Sequence, residues 1–363
     1  ARRVDAEGKH VTAQDVAAYA PVVRQPLRVP FGSYTVLTNP PPSAGGGLIG
    51  VGLRLAETLG LGEEAFLSEQ HQLAIAAVLA TVSQIRQSGY DERLHRDPAS
   101  IRDLVAGVAQ PAWVEVARAL SGENPLGATT HISVLDAQGM AAAMTTSNGE
   151  GCGHVLPGLG IHVNNFLGED DINPAGFHQL PPGVSMSTMM SPTVVLAGDR
   201  ACFALGSGGS NRIRSAILQA LLNLLAYRRP LDEAVNAARL HVEGRKLWFE
   251  SPGLAAGVAD ALHSAWPEAT RFDAKSMFFG GVNCVADSEG RFALTPEAAV
   301  VFATPDHPAY GMGMFHRLPQ TMHALEDVRD SFRTGVGHDY DSHGPQGAVG
   351  IERSFEPWSN ANL

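Results

Sequence analysis

Three cysteines, Cys152, Cys202 and Cys284, are all that the 363-residue sequence contains, and none stands in a CxxC spacing. So sparse and odd a set excludes a disulfide framework and a cysteine zinc site, while leaving the cytoplasm, periplasm and exterior all open as compartments. Cys152 sits among glycines, where it reads as a small buried filler rather than a nucleophile. Basic residues are also few. Lys and Arg total 26 against 37 Asp and Glu, a formal charge of −11, with no run of five or six cations. An acidic chain without a basic stripe argues against a nucleic-acid partner. Long apolar runs are missing too: LAIAAVLATV at 73–82 is about half of a membrane span. No charged stretch followed by an apolar one opens the sequence, which begins abruptly at ARRVDAEGKH. With 44% hydrophobic and 17% charged residues, a soluble globular protein is expected, long enough for two or three domains.

The first 120 residues read as mainly helical. A short helix is expected around 14–19, then an extended segment to about Leu37. NPPPSAGGG at 39–47 is expected to make a tight turn, because prolines cannot continue a helix and glycines expose backbone. Helical spacing resumes in LIGVGLRLAETLGLG and continues over 69–88 and 101–121, with Leu73, Ala76, Ala77, Leu79 and Ala80 as one apolar face. From Thr129 the texture changes to hairpins. THISVLDAQGMAAAMTTSN predicts a strand, a turn at Ala137–Gly139 and a second strand. SPTVVLAGDRACFALGS repeats this with its turn at Gly198–Arg200, and FGGVNCVADSEGRFAL does so around Ser288–Gly290. Ile213, Ile217, Leu221, Leu224 and Leu225 lie on one helical stripe, and PLDEAVNAARLHV is expected to form another helix. Hairpins separated by helices imply layers of helix, sheet, sheet and helix. After about residue 302 the periodicity fades.

Three turns have the composition of a site. TTSNGEGCG (145–153) ends a strand on Ser147 and Asn148; VNNFLGEDD (163–171) gathers two amides with Glu169, Asp170 and Asp171; GSGGSNRIR (206–214) runs from glycines into a helix. A helix N-terminus after glycines presents unpaired N–H groups to an oxyanion or carboxylate. No Gly-Lys-Ser/Thr follows, so a phosphate loop is a poor fit. HDYDSH (338–343) alternates His and Asp, as a metal cluster would, but reads better as a solvated tail, and no metal is expected. GATTHISVLD (127–136) poses the sharpest question, since two adjacent hydroxyls open a strand straight after Gly-Ala. β-Branched residues suit strands and need no function there. Alternatively, cutting the Ala128–Thr129 bond would free an α-amine of pKa about 8 beside its own hydroxyl, a base next to a weak nucleophile.

In order, PPPSAGGG, TTHISVLD, VNNFLGEDD, MSPTVV and GSGGSNRI resemble the γ-glutamyltransferase family of N-terminal-nucleophile hydrolases, from about residue 8 to about 301. The resemblance implies an α+β fold, a four-layer αββα sandwich, and a precursor cleaved between Ala128 and Thr129. It implies Thr129 as nucleophile, Ser147 as the hydroxyl that hydrogen-bonds it, and Gly208 and Gly209, with Ser210 adjoining, as the oxyanion hole. Asn148, Asn165, Glu169, Asp170, Thr188 and Ser210 fall where the family holds the substrate. The implied reaction is hydrolysis or transfer of γ-glutamyl amides such as glutathione to water, an amino acid or a peptide, with no cofactor. The implied assembly is a heterodimer of the chain's own cleaved pieces. On this pattern residues 1–128 correspond to the C-terminal part of the large-subunit region, 129–301 to the small-subunit catalytic region, and 302–363 to nothing in the family.

Departures from the pattern fall in the specificity pocket. Phe166 follows Asn164–Asn165 where better-known members have Gln, and Thr188–Met189 replace paired serines. The family's substrate-binding Asn matches Asn148 only with one residue deleted, and otherwise Gly149. Losing a buried polar partner typically costs ~1–3 kcal/mol. Family precursors also carry a longer N-terminal portion, so another chain supplies it, or the sequence is a fragment or a short member. Two alternatives follow. One is an acylase of the cephalosporin-acylase kind, taking a less polar acyl group; the other is an inactive binding or scaffold homologue.

Overall fold

The structure is a computed structural model that describes residues 13–107, 129–136, 138–153, 155–156, 161–173, 176–287 and 292–293, with four single positions between 349 and 356. The chain divides into residues 1–293 and 294–363. The first expected hairpin's turn residue Ala137, the third's turn at 288–290, the expected helix beyond Gly107, Ala128 and the HDYDSH stretch lie outside the described residues.

In chain order the elements of the first unit are α1 (Ala13–Ala18), β1 (Leu27–Phe31), β2 (Tyr34–Thr38), α2 (Ala44–Thr58), α3 (Glu69–Ile85), α4 (Asp91–Arg96) and α5 (Pro98–Gly107). There follow β3 (Thr129–Leu135), β4 (Ala141–Ser147), β5 (Val155–Leu156), β6 (Ile161–His162), β7 (Thr193–Ala197) and β8 (Arg200–Gly208). The rest are α6 (Arg212–Leu225), α7 (Leu231–Asn236), β9 (Leu240–Glu243), β10 (Lys246–Glu250), α8 (Val258–Ala265), β11 (Thr270–Phe272), β12 (Gly281–Ala286) and β13 (Phe292–Ala293).

The main sheet has six strands in the order β1-β2-β7-β8-β12-β13, every neighbouring pair antiparallel. One face packs on α2 and α6, where Leu48, Ile49, Leu53, Ile217 and Leu221 share a core with Val29, Val36, Val195, Leu205 and Val282, and α3 extends that core through Val78 and Leu79, packed on α2. The β3–β4 hairpin lies against β8 and β12. Helix, sheet and sheet are therefore present among the described residues, an α+β arrangement with three of the four expected layers. A small sheet, β11-β10-β9, packs beside α3 and α6.

Several local expectations are corrected. Residues 45–47 are not a turn but the first turn of α2, and glycine is needed there for close approach. A Cβ on Gly45 would lie 2.4 Å from the Met189 carbonyl oxygen, one on Gly46 2.0 Å from that of Asn39, and one on Gly47 2.1 Å from the Tyr90 hydroxyl. Leu27–Phe31 and Tyr34–Thr38 form a hairpin rather than one extended segment, turning at Gly32 with φ 54°. Helix α7 stops at Asn236, and the residues assigned to its end, from Leu240, form β9. In α3, Leu73 and Ala77 are only half-buried; the face turned inward carries Ile75, Ala76, Val78, Leu79 and Val82. Cys152 is exposed, not a buried filler, and Cys284 is the buried thiol.

A buried ionic cluster underlies the start of α6. Arg214 donates to Glu243, whose other oxygen lies 3.8 Å from Arg86. Burial pushes the Glu243 carboxyl up, but Arg214 and Arg86 outweigh it and bring its pKa down to about 2. His241 hydrogen-bonds Ser215 at 2.8 Å, and burial, reinforced by Arg214, drops its pKa to about 3. Removing one partner from such a pair costs about 3–5 kcal/mol, because it strands the other charge.

Candidate active site

The site grows from the first residues of β3. Side chains alternate along this strand, so Thr129, His131 and Ser133 face the main sheet while Thr130, Ile132 and Val134 face out. Antiparallel pairing sets Thr129 directly opposite Ser147, the last residue of β4. The Thr129 hydroxyl donates to the Ser147 hydroxyl at 3.1 Å. Ser147 Oγ also accepts from the Gly149 N–H at 3.0 Å, so one oxygen ties the nucleophile candidate to the turn that follows β4.

His131 holds the hairpin down. Its ring nitrogens meet Thr145 Oγ1 at 2.8 Å and Ser133 Oγ at 2.7 Å, and burial lowers its pKa to about 4. A neutral imidazole is therefore present at ordinary pH. The ring lies where a side chain on Gly206 would be, a Cβ there coming within 2.2 Å of Nδ1. Asn283 of β12 donates to the His131 carbonyl at 3.3 Å. These contacts fix β3 at the height on β8 where Gly208 meets the Thr129 backbone: a Cβ on Gly208 would sit 2.2 Å from the Thr129 carbonyl oxygen.

Gly209 has φ 117°, and its missing Cβ would be 2.9 Å from the Gly280 Cα, so the turn into α6 requires glycine twice over. Ser210 follows in the left-handed region, φ 53°. The Arg212 N–H closes onto the Gly209 carbonyl at 3.0 Å and the Ile213 N–H onto that of Ser210 at 3.1 Å. The chain thus enters α6 in a tight turn beside Thr129.

Thr129, Ser147, Gly149, Phe166, Glu169, Ile172, Thr188, Met189, Met190, Ser210 and Ile213 line a half-open pocket. Its cavity is about 30 Å³, room for water rather than a whole substrate. The lining is apolar on most sides, with one carboxylate, Glu169, and no cationic side chain among the described residues. Gly149, φ 60°, is pressed against Glu169 and Asn165: a Cβ would lie 1.9 Å from Glu169 Oε1 and 2.2 Å from Asn165 Oδ1.

Of the residues singled out from sequence, Thr129, Ser147, Glu169, Thr188 and Ser210 meet at this pocket, with Gly208 against Thr129. Asn165 stands behind Gly149, accepting from the Glu150 N–H at 2.9 Å. Asn148 is exposed and donates to the His162 carbonyl at 3.0 Å, and Asp170 is exposed; neither lines the pocket. Gly149, the other match for the family's substrate-binding Asn, does line it, as do Ile172, Met190 and Ile213, which were not among the binding residues expected. The contact of Gly149 with Asn165 and Glu169 joins two successive glycine-bearing turns through the side chains of the second, which no local pattern reveals. Among the described residues no group of three or more His, Cys, Asp or Glu is arranged to hold a metal ion.

Comparison with known proteins agrees with this construction. The gamma-glutamyltranspeptidase family model matches residues 1–299. An "Acylase ACY 1 proenzyme" of Pseudomonas sp. strain SE83 is 31% identical over 299 residues, covering 77% of this chain and 51% of that protein. A "Glutathione hydrolase proenzyme" of Pseudomonas aeruginosa is 28% identical over 259 residues, covering 64% of this chain and 45% of that one. The crystal structure of a cephalosporin acylase from Bacillus halodurans superposes with a TM-score of 0.62 at 19% identity, over 80% of this chain and 55% of that one, a likeness of fold. The chain spans about half the length of the curated relatives it matches. A family match over most of the sequence, on a fold that sets Thr129 against Ser147 and Gly208, identifies the chain as a member of the gamma-glutamyltranspeptidase family.

Proposed function

We propose that Thr129 is the nucleophile of a self-cleaving amide hydrolase or acyltransferase. The observation that carries this reading is the Thr129 hydroxyl, 3.1 Å from Ser147 Oγ on the wall of a pocket, with the glycine turn into α6 against its backbone. In the uncut chain the hydroxyl attacks the Ala128 carbonyl. The C–N bond to Thr129 breaks, and an ester joins Ala128 to Thr129 Oγ1. Water then hydrolyses that ester, releasing the Ala128 carboxylate and leaving Thr129 with a free α-amine. That amine, with a pKa of about 8, accepts the hydroxyl proton when a substrate amide is attacked. The leaving amine takes the proton with it, and water or an acceptor amine resolves the acyl-enzyme. N–H groups of Gly208 and Gly209, with Ser210 adjoining, are suited to the oxyanion at each step, aided by the positive end of α6. The two pieces then form a heterodimer.

For the acyl group, Glu169 supports a γ-glutamyl chain, since a carboxylate on the wall can pair the substrate's α-ammonium. The apolar lining of Phe166, Ile172, Met189, Met190 and Ile213 favours a second reading, an acylase taking a less polar acyl group. Turnover of a γ-glutamyl anilide against glutaryl and aliphatic anilides tests the choice. A γ-glutamyl preference above tenfold supports the first reading, an aliphatic or glutaryl preference the second. Hydrolysis of none of them contradicts the acyl-transfer reading itself.

A further inference from the structure

We propose that the kink Arg86–Tyr90, remote in sequence from every motif above, is a positioning element that holds both walls of the Thr129 pocket; this rests on the acyl-transfer reading of that pocket. Helix α3 ends at Ile85 and α4 starts at Asp91. Between them Ser88 (φ −87°, ψ 34°) and Gly89 (φ 83°, ψ 19°) break the helical path. Regular helix would keep residues 86 and 90 stacked on one stripe. The kink instead lets these two buried side chains reach different partners.

Arg86 serves the oxyanion side. Its Nη1 donates to Asn211 Oδ1 at 2.8 Å, and its Nε donates to Asp91 Oδ2 at 3.1 Å. Asn211 stands between Ser210 and the first residue of α6, the place where an N-cap carboxamide ordinarily turns back onto its own helix. Here that side chain makes no cap bond and is engaged by Arg86. Arg214 adds a bond to the Asn211 carbonyl at 3.1 Å, so the residue after the glycine turn is gripped at side chain and backbone.

Tyr90 serves the acyl side. Its hydroxyl donates to the Ala44 carbonyl at 3.0 Å, in the space left by Gly47. The Ala44 N–H in turn donates to the Thr188 carbonyl at 2.9 Å, and Ser43 Oγ donates to that of Met190 at 3.0 Å. Thr188, Met189 and Met190 are three consecutive residues of the pocket wall. A buried guanidinium and a buried phenol are costly choices for simple filling, where Leu or Phe would pack more cheaply. Their directed hydrogen bonds account for the choice.

The two arms should separate in kinetics. Removing the Arg86 arm misplaces donors that act on developing charge, which lowers kcat. Removing the Tyr90 arm loosens a wall that touches the acyl group, which raises KM. Arg86→Met and Asn211→Ala are each expected to slow Ala128–Thr129 cleavage and kcat by tenfold to a hundredfold, with KM changed less than threefold. The double variant should be no worse in kcat than Arg86→Met alone, because that variant already removes the Asn211 contact along with those to Asp91 and Glu243. Arg86→Lys should recover part of the loss, and it keeps the test alive should Arg86→Met fail to fold. Tyr90→Phe should raise KM threefold to tenfold at nearly constant kcat. If the wild-type chain cleaves and turns over while these variants match its kcat and KM once corrected for folded fraction, or if the losses from Arg86 and Asn211 simply multiply, the positioning role is overturned and the acyl-transfer reading stands. A wild-type chain that does neither overturns that reading and the positioning role with it.

Discussion

Gly208→Ala is a single-methyl test of the site's geometry. The added Cβ would fall 2.2 Å from the Thr129 carbonyl oxygen, 3.1 Å from its carbonyl carbon and 3.5 Å from its Cβ. Non-bonded heavy atoms settle at roughly 3.5–4.0 Å, so one strand must give by more than about 1 Å. Strand β8 is paired through this stretch with β12, Gly208 opposite Gly281, and has little freedom to move. Thr129, at the first position of β3, is the part that yields. A 1 Å misplacement of a reacting group can cost on the order of 10²-fold in rate, and overpacking costs about 1–3 kcal/mol in stability. The Gly208→Ala chain should therefore fold with a lowered Tm while Ala128–Thr129 cleavage and turnover fall about a hundredfold. Intact mass followed over time, with Tm alongside, reads both. Gly107→Ala is the matched control, because a Cβ there meets nothing within 4 Å. Cleavage by Gly208→Ala at the wild-type rate would refute the placement of Thr129 against this turn.

Glu169→Gln should lower kcat/KM on a γ-glutamyl anilide by about tenfold to a hundredfold, the loss of a charge-assisted contact of ~1.5–3 kcal/mol. Asp170→Asn, at an exposed position off the pocket, should change it less than twofold, and the same anilide without its α-amine should respond to neither. Ser147→Ala removes the oxygen that accepts from Thr129 and Gly149; one such bond is worth about 1 kcal/mol, so initial rates should drop roughly fivefold or more. Acid should destabilise the fold. Burial holds His71 at about 4 and His241 at about 3, below the 6.5 of an unfolded histidine, so below pH 6.5 the unfolded chain binds protons the folded one refuses. Each site then removes up to ~1.4 kcal/mol per pH unit as pH falls from about 6.5 towards its folded value, and Glu243 adds to the loss below about 4.5. Urea midpoints flat between pH 7 and 4 would contradict this.

The hairpins were legible because strict alternation between glycine turns is a local signal: the sequence places Thr129 and Ser147 at the ends of one hairpin, and the structure pairs them. Which face of that hairpin turns inward was not legible. Ile132, Val134 and Met144 are exposed, while His131, Ser133 and Thr145 are turned toward β8, the reverse of what hydropathy suggests. The polar face is chosen because His131 fits the space over Gly206 and bonds both neighbouring hydroxyls, a fit that exists only after the main sheet forms. Gly45–Gly47 misled for the same reason, since close approach inside a helix and a free turn ask for the same residue. In LHVEGRKLWFE the β9–β10 hairpin had a signal, Gly244 with φ 58°, that was outweighed by the helical pattern just before it. Arg86 and Tyr90 carried no signal, because the partners that tie them to the pocket walls, Asn211 and Ala44, lie more than forty residues away.

The central claim is that Thr129 becomes a chain terminus, and the intact mass of the purified protein tests it most directly. The account predicts two fragments whose masses sum to the full chain plus one water, the smaller-numbered piece ending at Ala128 and the other beginning at Thr129. Thr129→Ser should split more slowly and Thr129→Ala not at all. A wild-type chain that stays whole after prolonged incubation, or a Thr129→Ala chain that divides at the same bond, would contradict it.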